Sequence, residues 1–195
     1  MAIPVAQKLT PEQYLERERN AEIRSEYWHG EVYAMSGGTE RHDIVCVNLT
    51  IALRQRVQGR RCRIHSSNMK VGIAKRRGFS YPDLTLVCGE PRFLDETKDV
   101  LTNPSVIFEV LSPSTRGFDS GQKFAEYQKL DSLKHYVLLE QDICHVQHYE
   151  RTSSDEWRYR VHHKLDDVLV FSDLSLSIPL SEIYEDVELA PAETE

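Results

Sequence analysis

The chain has 195 residues, which is long enough for one domain with a substantial hydrophobic core. Hydrophobic residues make up 40% and charged residues 28% of the sequence, and these ordinary proportions exclude a disordered or a fibrous protein. The net charge of -7 excludes a protein that coats nucleic acid with its whole surface.

The N-terminal part is predicted to form a short helix followed by a β-hairpin. Thr10 and Gln13 have the spacing of a capping box at the start of a helix, which should run to about Ala21. The aromatic-rich stretches 25–29 and 31–35 then predict the two strands of the hairpin.

The longest predicted helix spans residues 40–57 and is capped by Thr39. Its apolar residues are too frequent for a surface loop, so it should face the core. Strands are predicted at residues 61–65, 69–74 and 81–87, with residues 76–78 as the turn between the last two. Residues 89–104 are polar and predict an irregular loop.

Residues 105–111 predict the central strand because they form a run of β-branched and apolar residues. A helix is predicted at residues 122–130, where Lys123 and Tyr127 share one face. The remaining predicted strands are 136–139, 144–149, 156–162 and 168–171, of which the last three should be antiparallel. Residues 178–181 lead into a short last helix. We expect one domain over residues 1–187 and an acidic, disordered tail over residues 188–195.

Positive charge is concentrated in the middle of the sequence. No Asp or Glu occurs between Ile44 and Pro82, whereas nine Lys and Arg residues do. Such a segment on an otherwise acidic chain favours local binding of phosphate groups. The residues predicted to bind nucleic acid are Arg60, Arg61, Lys75, Arg76 and Arg77. The alternative is that Arg54 and Arg56 complement a helix C-terminus while the other charges are solvated, and the sequence leaves both interpretations open.

Two features predict a cytoplasmic protein that does not enter a membrane. The sequence has no basic region followed by an apolar stretch at its start, and no run approaches the ~20 apolar residues of a spanning helix.

The four cysteines, Cys46, Cys62, Cys88 and Cys144, are widely spaced and include no C-x-x-C pair. We therefore expect reduced, partly buried thiols rather than a zinc knuckle or a redox motif.

Glu109 lies in the middle of the predicted central strand, on the face of Ile107 and Leu111. An ionised carboxylate is rarely buried without a partner, which here is either a metal ion or a core arginine. Asp83 begins another predicted strand and Lys123 opens the following helix. Taken singly, Asp83 is typical of a turn and Lys123 of a helix surface. We interpret Asp83, Glu109 and Lys123 together as one site.

These three side chains match the needs of phosphodiester hydrolysis. The reaction requires an activated water and relief of negative charge in the transition state, and one or two Mg²⁺ ions can supply both. Mg²⁺ prefers oxygen ligands and keeps several waters, so Asp83 and Glu109 with a substrate phosphate suffice as ligands. Mn²⁺ is the alternative metal, and a nearby lysine can orient or deprotonate the water. No small-molecule cofactor is expected.

Three motifs carry a resemblance to a known family. Tyr81-Pro82-Asp83, the run from Phe108 to Thr115 and the run from Lys123 to Tyr127 resemble the Uma-type family of restriction-endonuclease-like proteins. That family belongs to the PD-(D/E)XK nuclease superfamily. Residues 26–37 and 176–180 resemble its N-terminal hairpin and its end, so the resemblance covers nearly the whole chain.

The resemblance implies an α/β (α+β) protein with a restriction-endonuclease-like mixed sheet flanked by helices. An N-terminal helix and hairpin and extra C-terminal antiparallel strands complete this expected fold. The resemblance also implies metal ligands equivalent to Asp83 and Glu109. The superfamily places a lysine two residues after the glutamate, where this chain has Leu111, and Lys123 is the candidate for the displaced charge.

Glu31 and His42 lie in stretches that also resemble the family and are further candidate site residues. For His42 the alternative is a histidine hydrogen-bonded locally at the start of a helix. The favoured function is a Mg²⁺-dependent endonuclease that cuts double-stranded DNA as a homodimer. If Lys123 cannot reach the metal ligands, the chain is instead a catalytically inactive module that binds DNA or a protein partner. A third interpretation is an interaction protein that dimerises through its strands from Cys144 onward.

Overall fold

In a computed structural model of the protein, residues 8–35, 37–73, 77–112, 117 and 119–190 are described. The strands of the first half are β1 (Ser25–Trp28), β2 (Glu31–Ala34), β3 (Cys62–Ser66), β4 (Lys70–Ile73), β5 (Gly78–Ser80) and β6 (Leu84–Cys88). Those of the second half are β7 (Val100–Leu101), β8 (Val106–Leu111), β9 (His135–Glu140), β10 (Val146–Arg151), β11 (Trp157–His162), β12 (Val168–Phe171) and β13 (Leu176–Pro179). The helices are α1 (Pro11–Arg19), α2 (Glu40–Val57), α3 (Phe124–Tyr127) and α4 (Leu180–Ile183), with a π-helical turn at Asp119–Lys123 and a 3₁₀ turn at Ser172–Leu174.

Two β-sheets form the body of the protein. The five-stranded sheet has the order β2-β1-β5-β4-β7, and the six-stranded sheet has the order β11-β10-β9-β8-β6-β3. In the six-stranded sheet β8 and β9 are parallel, whereas β6 is antiparallel to β8 and β10 is antiparallel to β9. The predicted mixed sheet flanked by helices is therefore confirmed.

Strand β8 lies inside the six-stranded sheet, and both of its faces are buried. On one face Phe108 and Val110 pack in a core with Leu49 of α2. On the other face Ile107 packs in a second core with Tyr127 of α3. Full burial of an apolar side chain stabilises the fold by about 1.5–3 kcal/mol relative to exposure. The strand that carries Glu109 is therefore fixed from both sides.

The predicted N-terminal elements and the predicted long helix are confirmed. Thr10 Oγ1 accepts a hydrogen bond from the Gln13 backbone N–H at 3.2 Å, and Gln13 Oε1 accepts one from the Thr10 N–H at 2.9 Å, which completes the capping box. The β1–β2 hairpin turns at Gly30, whose φ of +99° is a conformation that glycine adopts without strain. Helix α2 covers the predicted residues and is capped by Thr39.

The predicted turn at residues 76–78 is wrong at its last residue. Gly78 begins strand β5, which pairs with both β1 and β4 in the five-stranded sheet. A Cβ atom on Gly78 would lie 2.9 Å from the ring of Trp28. Close packing against an indole, rather than reversal of the chain, is what requires glycine here. The two strands predicted on either side of this turn consequently belong to different sheets.

The C-terminal half differs from the prediction in two places. The predicted helix at residues 122–130 begins as the π-helical turn and ends with α3 at Tyr127. The predicted antiparallel set is divided, because β10 pairs with β11 whereas β12 pairs with β13 in a separate two-stranded sheet. In β13, Leu176 and Ile178 are buried and the residue between them is exposed. Such a short alternation of apolar and polar residues does not distinguish a strand from a loop in the sequence.

The prediction of four reduced cysteines is wrong for Cys62 and Cys88. These residues form a disulfide bond that joins β3 to β6. They lie directly opposite each other in the antiparallel register of the two strands. Register depends on tertiary pairing, so the spacing of cysteines along the chain could not indicate the bond. Cys46 and Cys144 are free and partly buried, as predicted.

Removal of the disulfide in the double variant Cys62→Ser/Cys88→Ser is expected to lower the free energy of unfolding by about 2–4 kcal/mol. The bond joins residues separated by 26 positions, and its loss allows the unfolded chain many more conformations. Urea unfolding of both proteins measures the difference. The control Cys144→Ser removes a thiol without a cross-link and should cost less. Equal stability of the double variant and the wild type would contradict this prediction.

The described part of the predicted C-terminal tail contacts the body of the protein. Leu189 packs against the core of the six-stranded sheet, and the Ala190 N–H donates a hydrogen bond to the Asp142 carbonyl at 2.7 Å. Residues 191–195 lie outside the described residues. Among the helices of the described chain, none combines the length and the apolar character needed to cross a membrane.

Candidate active site

The pairing of β6 with β8 places Asp83 beside Glu109. Leu84 lies opposite Phe108 in the antiparallel register, so the adjoining positions, 83 and 109, are neighbours across the two strands. Asp83 is held by two contacts. Its Oδ2 accepts a hydrogen bond from the Val110 backbone N–H at 2.7 Å, and its Oδ1 lies 3.3 Å from His42 Nε2.

Glu109 is buried, with 4% of its surface exposed, and its partner is a lysine. Glu109 Oε1 lies 2.9 Å from Lys123 Nζ and accepts a hydrogen bond from the Tyr127 hydroxyl at 3.1 Å. The alternative of a core arginine as the partner is therefore wrong. Tyr127 is in turn held by Ser80, whose hydroxyl lies 2.7 Å from the phenol oxygen. The carboxylate is thus oriented from two helical positions, 123 and 127.

Lys123 contacts three carboxylates at once. Its Nζ lies 3.3 Å from Glu26 Oε1, 2.9 Å from Glu109 Oε1 and 3.2 Å from Asp119 Oδ1. The ammonium group is nearly inaccessible to water, since only 7% of the side chain is exposed. We call Glu26, Asp83, Glu109 and Asp119 the carboxylate cluster. Three of these four acidic groups contact the ammonium, and Asp83 lies at the strand position that faces Glu109.

Burial and mutual repulsion disturb the ionisation of the cluster. Burial is the largest influence on Glu109 and raises the pKa of its carboxyl well above the usual range. Lys123 opposes this shift, whereas the other three carboxylates of the cluster reinforce it. Burial is the largest single influence on Lys123 and lowers its pKa, but the combined attraction of Glu109, Glu26, Tyr127 and Asp119 raises the pKa above the usual range. The site is therefore short of positive charge.

His42 and Cys46 lie on the α2 side of Asp83. One ligand atom from each of these three residues lies within 4.8 Å of the other two. The hydrogen bond to Asp83 is the largest influence on the pKa of His42 and raises it, against the effect of burial. The groups that could hold a cation are thus Asp83 with Glu109, which occupy facing strand positions, and the set formed by His42, Cys46 and Asp83.

The structure does not bring the predicted residue Glu31 to this cluster. Its side chain is 56% exposed on β2, where its Oε2 accepts a hydrogen bond from the Tyr33 hydroxyl at 2.6 Å and its Oε1 lies 3.6 Å from Lys8 Nζ. Glu26 of the neighbouring strand β1 occupies the cluster instead. Its Oε1 accepts from the Tyr81 N–H at 3.0 Å, and its Oε2 accepts from the Trp28 indole N–H at 3.1 Å.

The predicted nucleic-acid-binding residues are not all near the cluster. Arg60 and Arg61 precede β3, and the Gly89 N–H donates to the Arg61 carbonyl, so both lie at the end of β6 opposite to Asp83. The Arg60 guanidinium donates to the carbonyls of Leu174 and Ser175. Arg77 is exposed, and its carbonyl accepts a hydrogen bond from the N–H of His29. Lys75 and Arg76 lie outside the described residues.

Glu26 and Asp119 were not predicted as site residues, although the sequence carries an indication of each. Glu26 and Trp28 are two residues apart in β1, so their side chains point to the same face of the strand. A carboxylate beside a large aromatic residue indicates a partly buried face. Asp119 precedes Lys123 by four residues, the spacing of a helical ion pair. Neither signal alone distinguishes a site residue from an ordinary charge pair.

The chain shares its mixed α/β fold with a protein of known structure. A crystal structure described as a putative nuclease belonging to DUF820 from Anabaena variabilis shares the fold with a TM-score of 0.72. The match covers 90% of this chain and 97% of that chain at 16% sequence identity. The fold of this protein is therefore that of a known structural group.

The chain belongs to the Uma2 family, which is described as "Putative restriction endonuclease" and matches residues 11–181. Two uncharacterized proteins of Synechocystis sp. are similar to it. The protein sll1609 is 35% identical over 157 residues, covering 80% of this chain and 89% of the relative. The protein slr1290 is 31% identical over 177 residues, covering 91% of this chain and 92% of the relative.

Proposed function

We propose that the protein is a metal-dependent endonuclease that hydrolyses phosphodiester bonds of double-stranded DNA. In this proposal Asp83 and Glu109 bind Mg²⁺, or Mn²⁺ in its place, and Lys123 supplies the charge near the attacking water. The observation that carries the proposal is the contact of Lys123 Nζ with Glu109 at 2.9 Å, with Asp83 at the strand position that faces Glu109. The description of the Uma2 family and that of the Anabaena neighbour support a nucleic acid as substrate.

The residues of the cluster fit a hard divalent cation. Asp83 and Glu109 offer carboxylate oxygens from adjoining strand positions, and oxygen is the donor that Mg²⁺ prefers. The cluster holds four carboxylates, of which three contact the single ammonium and Asp83 repels Glu109, so added positive charge would be stabilised there. When bound, the metal ion would lower the pKa of a water and offset charge on the phosphate.

Lys123 acts as an ammonium in this mechanism. The raised pKa of Lys123 keeps it protonated at neutral pH, so it donates hydrogen bonds and does not remove a proton from water. Its three carboxylate contacts fix the amine beside Glu109. Placed there, it offsets negative charge beside the proposed metal ligands. Because an ammonium has three N–H donors, it would exchange one carboxylate contact to orient the attacking water or to bind a phosphate oxygen. The proton of the water then passes to another base or to the solvent.

Two further residues orient the carboxylates. His42 Nε2 lies 3.3 Å from Asp83 Oδ1, and the Tyr127 hydroxyl donates to Glu109 Oε1. Such contacts fix ligand oxygens in one direction before a cation arrives. His42 and Tyr127 are therefore positioning residues.

Cleavage assays test the proposal directly. Purified protein is incubated with supercoiled plasmid, a duplex oligonucleotide and single-stranded DNA in Mg²⁺, in Mn²⁺ or in EDTA. We expect cleavage of the duplex substrates with either metal and none in EDTA, because the carboxylates alone cannot activate water. Intact DNA under every condition, or equal cleavage in EDTA, would refute the proposal.

A second candidate function is a catalytically inactive module that binds DNA or a protein partner. The observation that favours it is Leu111, which stands where the superfamily motif has lysine and is fully buried. Binding to DNA without chemistry should weaken steeply with salt and be indifferent to metal. Filter binding over a range of salt concentrations, with and without Mg²⁺, separates the two functions.

A homodimer is part of the nuclease proposal. Two sites related by a two-fold axis can cut both strands of a duplex, whereas one site cuts a single strand per encounter. Light scattering measures the mass in solution. A dimer should also convert supercoiled plasmid to the linear form without accumulating the nicked circle.

A further inference from the structure

His42, Cys46 and Asp83 form a second set of metal-ligating groups that the nuclease proposal does not use in full. His42 and Cys46 are four residues apart on α2, so they share one face of the helix. Cys46 Sγ lies 3.7 Å from His42 Nδ1, and His42 Nε2 lies 3.3 Å from Asp83 Oδ1. Each residue offers one ligand atom within 4.8 Å of the other two. We call these three residues the His-Cys-Asp site.

The donor atoms of the His-Cys-Asp site differ in kind from those of the carboxylate cluster. A thiolate and an imidazole are poor ligands for Mg²⁺, which prefers oxygen, but they suit Zn²⁺ and its neighbours in the transition series. Three protein ligands that leave one tetrahedral position open are the arrangement of many zinc sites. From these contacts we infer that His42, Cys46 and Asp83 bind a divalent transition-metal ion of the Zn²⁺ or Co²⁺ class.

The surroundings of the His-Cys-Asp site hold its ligands in place. A Cβ atom on Gly38 would lie 2.9 Å from His42 Nδ1, so the glycine leaves room for the imidazole ring. Asp83 is anchored through its other oxygen by the Val110 N–H at 2.7 Å. Cys46 is a free thiol, whereas Cys62 and Cys88 are joined in a disulfide and cannot bind a metal. His42 contacts Cys46 and Asp83 through different ring nitrogens, so the ring must turn for one nitrogen to bind the same ion as Cys46 Sγ and Asp83 Oδ1.

Metal binding at this site has a simple proton balance. The Cys46 thiol loses its proton to solvent as the bond between Sγ and the metal forms, and His42 binds through a neutral ring nitrogen. No atom changes its oxidation state. The only group shared with the carboxylate cluster is Asp83. If the nuclease proposal holds, Zn²⁺ at the His-Cys-Asp site occupies Asp83, which is then not available to bind Mg²⁺, and cleavage that depends on Mg²⁺ is inhibited.

Cobalt spectroscopy tests the inference without an activity assay. Co²⁺ is added to the full chain without thiol reductants, and absorption is recorded in the near ultraviolet and the visible. We expect a band from thiolate-to-cobalt charge transfer that saturates at one ion per chain. Cys46→Ser should abolish the band, and His42→Gln and Asp83→Asn should weaken binding by more than about tenfold. Circular dichroism verifies that each variant is folded, and Cys46→Ala replaces Cys46→Ser if the serine variant is not.

The control variant is Cys144→Ser, which removes the other free cysteine and should leave the band unchanged. Absence of the band in the wild type, or its persistence in Cys46→Ser, would overturn the inference. Loss of the band in Cys144→Ser would do the same. Glu109→Gln separates this inference from the nuclease proposal, because it removes a ligand of the carboxylate cluster and should still give the cobalt band. Binding of Co²⁺ by a protein that never cuts DNA would support the site and refute only the nuclease proposal.

Discussion

Replacement of Lys123 by methionine is expected to lower the free energy of unfolding at pH 7 by about 3–5 kcal/mol. The variant leaves the buried Glu109 and Asp119 and the partly buried Glu26 without the ammonium that contacts all three. Methionine keeps most of the length and apolar volume of lysine, so the measured change reflects the lost charge. Urea unfolding followed by circular dichroism gives the difference from the wild type.

The loss of stability in Lys123→Met should decrease as the pH falls. Burial and neighbouring carboxylates already raise the pKa of Glu109, and removal of the ammonium raises it further. A carboxyl whose pKa is higher in the folded state than in the unfolded state favours folding at low pH. That contribution is lost as the pH rises from the unfolded pKa through the folded pKa. The variant should therefore come closest to the wild type below about pH 4, where unfolded glutamate is also protonated.

The matched control for this variant is Lys129→Met. Lys129 also pairs with a glutamate, Glu126, but 43% of its side chain is exposed. A pair at the surface is stabilised little because water screens both charges, so the control should cost less than about 1 kcal/mol. Equal losses in the two variants, or a loss in Lys123→Met that grows on acidification, would contradict the proposed role of the buried ammonium.

Asp83→Asn and Glu109→Gln are each expected to reduce the rate of DNA cleavage by about a thousandfold, equivalent to ~4 kcal/mol of transition-state stabilisation. Each change removes one of the two anionic oxygen ligands in the proposed metal site. Glu109→Gln should remain folded, because Lys123 keeps its contacts with Glu26 and Asp119. Single-turnover cleavage of a duplex oligonucleotide in Mg²⁺ measures the effect separately from product release.

Glu150→Gln is the control for these two variants. Glu150 is a carboxylate of β10 in the same sheet, where its Oε2 lies 3.1 Å from Arg158 and 3.0 Å from Arg160, away from the cluster. Its cleavage rate should equal that of the wild type. Wild-type rates for both cluster variants would exclude Asp83 and Glu109 as metal ligands, whatever the substrate.

Periodicity and capping in the sequence predicted the elements that carry the site. The apolar run around Glu109 predicted β8, and the residues from Thr39 onward predicted α2. In both segments the conformation that the residues prefer locally is also the one that buries their apolar side chains in the fold. The contact of Glu109 with Lys123 agrees with the expectation that these residues share one site. Their chemical roles stay predictions until the variants are assayed.

Pairings between distant segments could not be predicted in the same way. Glu26 reaches Lys123 only because β1 joins β5 in one sheet, and the short strand β5 gave no recognisable pattern. The disulfide depends on the register of β3 against β6. The arginine-rich segment was a feature of the linear sequence, whereas folding places Arg60 and Arg61 at the far end of β6. In each case the contact depends on how distant strands pair in the folded protein, which local sequence preferences do not determine.

The partners of Lys123 come from both sheets, since Glu26 belongs to β1 and Glu109 to β8. A single side chain thereby links the architecture of the protein to the chemistry proposed for it. A change at position 123 is therefore expected to lower the stability of the protein as well as the proposed cleavage activity. Relatives that lose activity are therefore expected to lose a cluster carboxylate before they lose this lysine.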